Sequence, residues 1–347
     1  MGSPSTAITR TDASMTYQEF SLAANQRKMI GLQVLPPIGV AQEASDFPKL
    51  EIASLLTEPR DTKRAPYGGY AREGWNWTTD SYNCNEHGVE EIADDAMIER
   101  YGDLVRVEQI AIGRAINRIL QRLEYDIAQA VFNTTTWTGA TLTTAISTAW
   151  TTAASADPIA DVDGAREKVI TSCGQAPNTV VMTDYDFIYC LRTDRIESLL
   201  KYDASQVLMA MNQRGGDMQL VNSAAQALAG LFQVDKVLIG QGVYNASDPG
   251  IAASFSRFWS TGYVMVCNTN DDGMNGDLEA AAPNIGRTIF STKNGEPLPG
   301  SDDPGFGSLV FDEYRDEPVR GSVFRPRNKR DVKILHAEAG HLLSGAS

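Results

Sequence analysis

The stretch from Asp95 to Phe132, DAMIERYGDLVRVEQIAIGRAINRILQRLEYDIAQAVF, narrows the folds open to this chain more than any other segment. Ile98, Tyr101, Val105, Ile112, Ala115, Ile116, Ile119, Leu123, Ile127 and Val131 recur mostly at steps of three and four, so one apolar stripe runs along one helical face. An unbroken helix of this extent would be on the order of 50 Å long, a spine on which other elements must pack. Gly102 and Gly113 interrupt it, and each weakens it by about 1 kcal/mol relative to alanine, which makes them the places for a bend.

Upstream of the spine the chain reads as extended. Residues 1–14 are rich in Ser and Thr and are expected to be disordered, and Tyr17 to Lys28 suits a short helix with Tyr17, Phe20, Leu22 and Ala23 on one face. MIGLQVLPPIGVAQEASDFPKL follows, where Pro36 and Pro37 bar a helix. This arm has apolar residues but no partner near it in sequence, so it packs either on its own core or on another molecule. Alternation predicts strands over Phe47 to Leu56 and Glu73 to Ser81, joined by TEPRDTKRAPYGGYAR. That is a long hairpin, with Arg60, Lys63, Arg64 and Arg72 near its tip and Tyr67, Tyr70, Trp75 and Trp77 along it. A two-stranded hairpin is marginal alone in water, so its aromatic face needs a surface to lie on.

Downstream, Asn133 to Ser155 is a nearly uncharged Thr/Ala tract with Trp137 and Trp150, read as a surface hairpin. After Asp157-Pro158 helices and strands alternate. A helix is predicted near Asp161 to Cys173, a strand at NTVVMT, helices over Asp184 to Leu200 and another near Ala224 to Phe232. Strands follow at KVLIG, GYVMVC and Ile285 to Ser291, the whole forming a compact mixed α/β block. Pro297 to Gly307 reads as a linker, and the last strands are GSLVFDEYR, GSVFRP and DVKILHA. The fold class is α+β.

The 347 residues carry 30 Lys plus Arg against 44 Asp plus Glu, a net charge of -14 that repels nucleic acid on average and confines any contact with it to a local basic strip. Two strips qualify. Arg106, Arg114, Arg118 and Arg122 give the spine a partial arginine face, interleaved with Glu108, Glu124 and Asp126, which also reads as a solvated face of i,i+4 pairs. Arg320, Arg325, Arg327, Lys329, Arg330 and Lys333 form the second, suited to DNA or to an acidic patch of another subunit. Conversely, Glu86, Glu90, Glu91, Asp94, Asp95 and Glu99 fall in a run without Lys or Arg. Acids at a helix start are ordinary; the remainder is expected to complement the basic hairpin tip of a neighbouring copy.

Little in the sequence is suited to catalysis. Cys84, Cys173, Cys190 and Cys267 have no CxxC spacing and read as reduced thiols of a cytoplasmic protein. No apolar run approaches the ~20 residues that cross a bilayer, and Gly2 with Thr6 is too short a pattern to imply myristoylation. Cys84 beside His87 would be a nucleophile and base only in an electropositive site, and Glu86, Glu90 and Glu91 surround them. His336 and His341 in HAEAGH do not have zinc-protease spacing. NTNDDGMNGDLE, Asn268 to Glu279, fits a calcium loop at Asn270, Asp272, Gly273 and Glu279, but Asn268 stands where Asp is wanted and a strand precedes it; a solvated Asn/Asp/Gly turn is the simpler reading. GQGVYN at Gly240 lacks the third glycine of a dinucleotide loop. No enzyme, metal or cofactor is expected.

The order of elements, arm with short helix, charged aromatic hairpin, spine, α/β block and returning strands, resembles the major capsid proteins of tailed bacteriophages from about Tyr17 to His336. LPPIGVAQEASDFPKL leading into RAPYGGY, and DSYNCNEHGVEEIADD ahead of the helix, carry the same likeness. The resemblance implies an N-arm (1–46), an E-loop hairpin (47–85), a P-domain of spine helix and following hairpin (86–157), an A-domain (158–305), and the C-terminal strands and tail of the P-domain (306–347). It implies a subunit that assembles with itself through pentamers and hexamers into an icosahedral shell around double-stranded DNA, held non-specifically, with procapsid maturation. A separate scaffolding protein, a portal and a decoration protein are its implied partners, the virion its location and the host cytoplasm its place of assembly. An encapsulin-like bacterial nanocompartment is the alternative on the same fold. Lys63, Arg64, Tyr67, Tyr70, Trp75 and Trp77 become interface candidates, and Gly68, Gly69 and Gly88 the hinges.

Overall fold

The computed structural model describes residues 8–9, 29–56, 63–64, 66–68, 70, 74, 77–101, 107–200, 218–247, 250–269, 283–292 and 309–347. Its first half runs β1 (Ile8–Thr9), α1 (Gly31–Val34), β2 (Pro37–Val40), β3 (Ala44–Leu50), α2 (Ile52–Leu55), β4 (Trp77–Asn83), β5 (Asn85–Gly88), β6 (Glu91–Asp94), α3 (Asp95–Tyr101) and α4 (Val107–Val131). There follow β7 (Thr143–Ala145), α5 (Pro158–Cys173), β8 (Thr179–Thr183), α6 (Asp184–Leu191), α7 (Asp194–Leu200), α8 (Met218–Phe232), β9 (Lys236–Gly240), β10 (Val243–Asn245), β11 (Phe255–Arg257) and β12 (Tyr263–Cys267). The last elements are β13 (Gly286–Ser291), β14 (Val310–Asp316), β15 (Gly321–Ile334) and β16 (Gly340–Ser344).

Two sheets organise the molecule. The larger has the order β1-β14-β15-β13-β2, with β5 and β6 also pairing with β15; the smaller has the order β7-β16-β12-β8-β9. β15 pairs antiparallel with β14 from Gly321↔Asp316 to Arg327↔Val310, and with β13 from Arg330↔Phe290 to Ile334↔Gly286. Side chains alternate between faces of a strand, and the even positions Phe324, Asn328 and Arg330 are buried. Helix α4 covers the large sheet with its first half, where Ala111, Ile112, Ile116 and Leu120 meet Phe311 and Phe324. Its second half, Leu123, Ile127, Ala128 and Val131, packs with Ile30, Val34, Leu35, Met265 and Leu342, so one helix spans the junction of the two sheets. The opposite face of the small sheet, Val180, Met182, Val264 and Val266, is covered by α5, α6 and α8.

Local signals explain where the helices of this block start and stop. Asp157 caps α5 by accepting from the Ala160 N–H, Pro158 occupies its first turn, and Gly174 ends it at φ 74°, a left-handed conformation that glycine adopts without a Cβ penalty. Thr183 caps α6 by accepting from the Asp186 N–H.

Several expectations are corrected. The strand foreseen over Phe47 to Leu56 is β3 followed by α2, because Ile52 leaves the sheet to pack on Val169 and Cys173 of α5. The spine is helical over both of its described stretches, α3 and α4, and residues 102–106 between them lie outside the described residues. The Thr/Ala tract is no surface hairpin. Trp137 and Trp150 are both fully buried, donating from their indole nitrogens to Val131 O at 2.7 Å and Asp161 Oδ2 at 2.9 Å, and β7 pairs in parallel with β16. The rest of the tract stays exposed or half-buried, and its two tryptophans anchor it to the core. GSVFRP and DVKILHA are one strand, β15; Pro326 is tolerated because it falls between the β6 pairing, which ends at Phe324, and the β5 pairing, which begins at Arg327. β16 was not foreseen, and the two sheets exchange strands across the sequence-based boundaries, since β13 lies in the large sheet and β16 in the small one. The arm over residues 29–40 packs on its own core, with Ile30, Val34, Leu35 and Ile38 buried and β2 paired in parallel with β13. The expected helix from Tyr17 to Lys28 and the linker from Pro297 to Gly307 lie outside the described residues.

Truncating Trp137 separates a loop anchored by its tryptophans from a free surface hairpin. Trp137→Ala is expected to cost about 3–5 kcal/mol, measured as a lower guanidinium unfolding midpoint at unchanged slope; a surface residue would cost almost nothing.

Candidate assembly surface

The hairpin is firmly rooted. β3 and β4 pair antiparallel from Ala44↔Asn83 to Leu50↔Trp77. At the root, Tyr82 and Cys84 are buried with Ile38 and Ile289, the Asn83 N–H donates to Asp331 Oδ2 at 3.0 Å, and Lys333 Nζ meets Asp80 Oδ1 at 2.8 Å. Burial fades outward along β4: Trp77 is 54% exposed, Tyr70 73% and Tyr67 wholly exposed. Lys63 and Arg64 are exposed as well. The Arg64 Nε donates to Gly68 O at 2.6 Å and its guanidinium lies 4.8 Å from the centre of the Tyr70 ring, so this part of the tip has an internal order. Trp75 and Gly69 lie outside the described residues. Gly88 ends β5 opposite Arg327, where a Cβ would stand 3.3 Å from the Arg327 Cβ. Large aromatic rings left in water at the end of an anchored hairpin are the signature of a surface meant to be covered.

Sequence reasoning missed a second such feature. The β10–β11 hairpin presents Val243, Ile251 and Phe255 to solvent, Phe255 at 72%. The alternation in SFSR was the available signal, but three residues are too few to distinguish a strand from a turn.

Several members of the acidic run meet cations of their own chain. Glu86 and Glu90 reach Arg327 and Arg325, Glu91 reaches Arg118 at 2.9 Å and Arg114 at 3.7 Å, and Asp95 takes both terminal nitrogens of Arg315. The spine supplies the partners of Glu91, Arg315 of β14 that of Asp95, and the second basic strip those of Glu86 and Glu90. Its odd positions share one face of β15, where Arg325 and Arg327 also hold Asp312, Lys329 holds Glu43 at 2.8 Å, and Lys333 holds Asp80. Pairing in the sheet brings Glu86 and Glu90 to cations more than two hundred positions away, while Glu91 reaches the nearby spine. On the spine, Arg122 makes the anticipated i,i+4 pair with Asp126 at 2.9 Å.

One carboxylate joins three parts of the chain. Glu124 is 3% exposed on the inner side of α4. Its oxygens accept from the Ile30 N–H at 3.0 Å, the Gly31 N–H at 2.8 Å and the Trp259 indole N–H at 2.6 Å. Burial raises its pKa against the opposing pull of these donors. A Cβ on residue 31 would lie 2.6 Å from Glu124 Oε2, so only glycine lets the backbone come this close.

The groups that suggested chemistry have structural roles. Cys84 donates from Sγ to Ile289 O, and burial pushes its thiol up to about 12, so it carries no thiolate for His87 to generate. The four cysteines are free and buried. His341 is fully buried, with Nδ1 2.8 Å from Thr141 O and Nε2 2.8 Å from Thr144 Oγ1, which fixes the loop carrying β7 to β16. Asn268 donates to Gln175 Oε1 and Pro283 O, closing the base of the segment once matched to a calcium loop; residues 270–282 lie outside the described residues. Gly240 is small because Trp259 Cδ1 would lie 2.5 Å from a Cβ there. Among the described residues no His/Cys/Asp/Glu group is arranged to hold a metal, and no helix is long and apolar enough to cross a membrane.

No protein-family profile matches the chain. A curated relative, the major capsid protein of Burkholderia phage BcepMu, is 23% identical over 320 residues, covering 92% of this chain and 91% of its own. Among solved structures, a phage-related protein from Bordetella bronchiseptica aligns with TM-score 0.65 at 18% identity over 98% of both chains. The capsid of Myoviridae phage XM1 aligns with TM-score 0.50 at 10% identity, over 91% of this chain and 92% of that one. The α+β fold is thus the one used by phage capsid proteins.

Two measurements test this geometry. Glu124→Gln, which turns an amide group toward backbone and indole donors, is expected to lower unfolding free energy by about 1–3 kcal/mol in chemical denaturation. His336 is pushed down to about 4 by burial and by the charge of Lys49, so between that value and 6.5 the unfolded chain binds the extra proton. Its contribution to stability is complete above pH 6.5 and declines as pH falls toward 4; the stability difference between wild type and His336→Gln should shrink across that window.

Proposed function

We infer that this chain is the major capsid protein of a phage, a structural subunit that assembles with copies of itself into the virion shell. The observation that carries this reading is correspondence over nearly the whole chain, at the level of fold and of sequence, with capsid proteins. The exposed Tyr67, Tyr70 and Trp77 on a hairpin rooted by Asp80, Asn83 and Cys84 support a specific mode of assembly.

In that mode, the hairpin lies across an adjacent subunit. Tyr and Trp rings contribute large contact area with few rotatable bonds, and such residues dominate interface energies. Contacts of this head-to-tail kind close into rings, here pentamers and hexamers, which combine into an icosahedral shell. Lys63 and Arg64 add exposed ion pairs worth about 0–1 kcal/mol each, enough to set register rather than strength. Gly68, Gly69 and Gly88 are the hinge candidates for a change from precursor to mature shell, Gly88 standing where the hairpin's return joins the large sheet. A separate scaffolding protein, a portal, a decoration protein and packaged double-stranded DNA complete the proposed partners, with assembly in the host cytoplasm.

Deleting residues 60–75 is expected to abolish particles in electron microscopy and sedimentation while cooperative thermal unfolding persists. Trp77→Ala is expected to raise the concentration needed for assembly, and reversal of Lys63 and Arg64 to Glu to do so more weakly. A wild-type chain that stays monomeric at high concentration, or a deleted chain that still builds shells, would refute the reading; native particles filled with protein cargo and free of nucleic acid would point to a nanocompartment instead.

A further inference from the structure

We propose that the solvent face of α4 from Arg114 to Gln129 binds duplex DNA through its phosphate backbone. The proposal rests on the capsid reading and adds which surface of the subunit faces the packaged genome.

The face has an unusual make-up for a chain of net charge -14. Arg114, Arg118 and Arg122 stand at i, i+4 and i+8, so they line up at steps of about 6 Å along the helix. Their side chains are 60%, 53% and 62% exposed. Between them and beyond them lie Asn117, Gln121, Tyr125 and Gln129. Every one of these side chains has an N–H or O–H to offer a phosphate oxygen.

The carboxylates of this region are withdrawn from that surface. From Gly113 to Val131 the helix holds only Glu124 and Asp126. Glu124 is turned inward to the arm and Trp259. Asp126 is 21% exposed and shared between Arg122 and the buried Arg330, and Glu91, 13% exposed, sits behind Arg114 and Arg118. Each guanidinium therefore keeps a carboxylate at its back and N–H groups toward solvent. The helix also borders a groove of about 560 Å³, with Arg118, Gln121, Arg122 and Tyr125 on one wall and Tyr244 and Asn245 on the other. Arg122 lies 5.3 Å from the Tyr125 ring centre, which holds it along the rim.

Duplex DNA fits this surface better than an acidic protein does. A protein interface is anchored by exposed apolar or aromatic residues in its centre, and from Arg114 to Gln129 no large apolar side chain is strongly exposed; Ile110, one turn before Arg114, borders the strip only at its end. The cations of β15 are less suited, being at most 32% exposed and paired with carboxylates. A strip from Arg114 to Gln129 is about 22 Å long, and a duplex carries one charge per ~1.7 Å of axis, so the three arginines meet a continuous line of phosphates without regard to sequence.

The test is fluorescence anisotropy of a short labelled duplex with the full-length chain before assembly, between about 50 and 200 mM salt. The wild-type chain is expected to bind, with log affinity falling against log salt at a slope of roughly -2 to -3, the value for up to three phosphate contacts. Arg114→Gln/Arg118→Gln/Arg122→Gln should weaken binding at least about tenfold and flatten the slope, with its fold checked by circular dichroism. Gln129→Arg should strengthen binding and steepen the slope by about 0.9. No binding by the wild type at the lowest salt, an unchanged affinity in both variants, or preferential displacement of the duplex by polyglutamate would overturn the proposal. Particle formation by the same preparations is scored separately by electron microscopy, so failure of the capsid reading and failure of the DNA face are distinguishable.

Discussion

The structure turns on a buried carboxylate that has donors but no cation. Glu124 gathers two backbone N–H groups at the start of α1 and the indole of Trp259, and so ties the arm, the spine and the small-sheet block at a single point. A buried charge is costly unless its lone pairs are engaged. Each donor is therefore needed by the carboxylate, and the carboxylate by each donor, since a buried N–H without a partner is also unfavourable. Gly31 and the position of Phe132, whose ring meets Trp259 edge-on at 5.0 Å, follow from that constraint.

A subunit that must fit many neighbours benefits from having its strong internal charges already matched. On the odd face of β15, lysines and arginines meet carboxylates from β4, β5, β14 and the loops between strands, and this ladder also roots the hairpin. The chain is left with surfaces of different kinds: aromatic at the end of the hairpin, apolar on the β10–β11 turn, and cationic along α4. Each kind suits a different contact, because apolar area supplies affinity whereas exposed charge supplies orientation and salt sensitivity.

Much of this was legible locally. The helical period of Val107 to Val131 and the caps at Asp157 and Thr183 are written in contiguous residues, and the helices form there. The pairing of β3 with β4 likewise follows from two alternating runs close in sequence, although Ile52 draws the second half of the first run away into α2. The tract around Trp137 and Trp150 misled because low charge with Thr and Ala does not say whether a tryptophan faces water or core, and only the Val131 carbonyl and the Asp161 carboxylate decide that. For the candidate surface, composition pointed to the hairpin aromatics, while the partners of Glu86 and Glu90 in the acidic run lie more than two hundred positions away.

By itself the sequence determined where the long helices α4 and α5 form, which run is aromatic and which is charged, since period and composition act through neighbours along the chain, whereas the single turns α1 and α2 did not follow from it. Only the tertiary structure decided that β13 and β2 join the large sheet, that β16 enters the small one, that Glu124 faces inward, and which arginines keep their N–H groups in water. Hydrogen-bond ladders and ion pairs close between segments distant in sequence, and no local pattern specifies which of several competent edges or charges will be brought into reach.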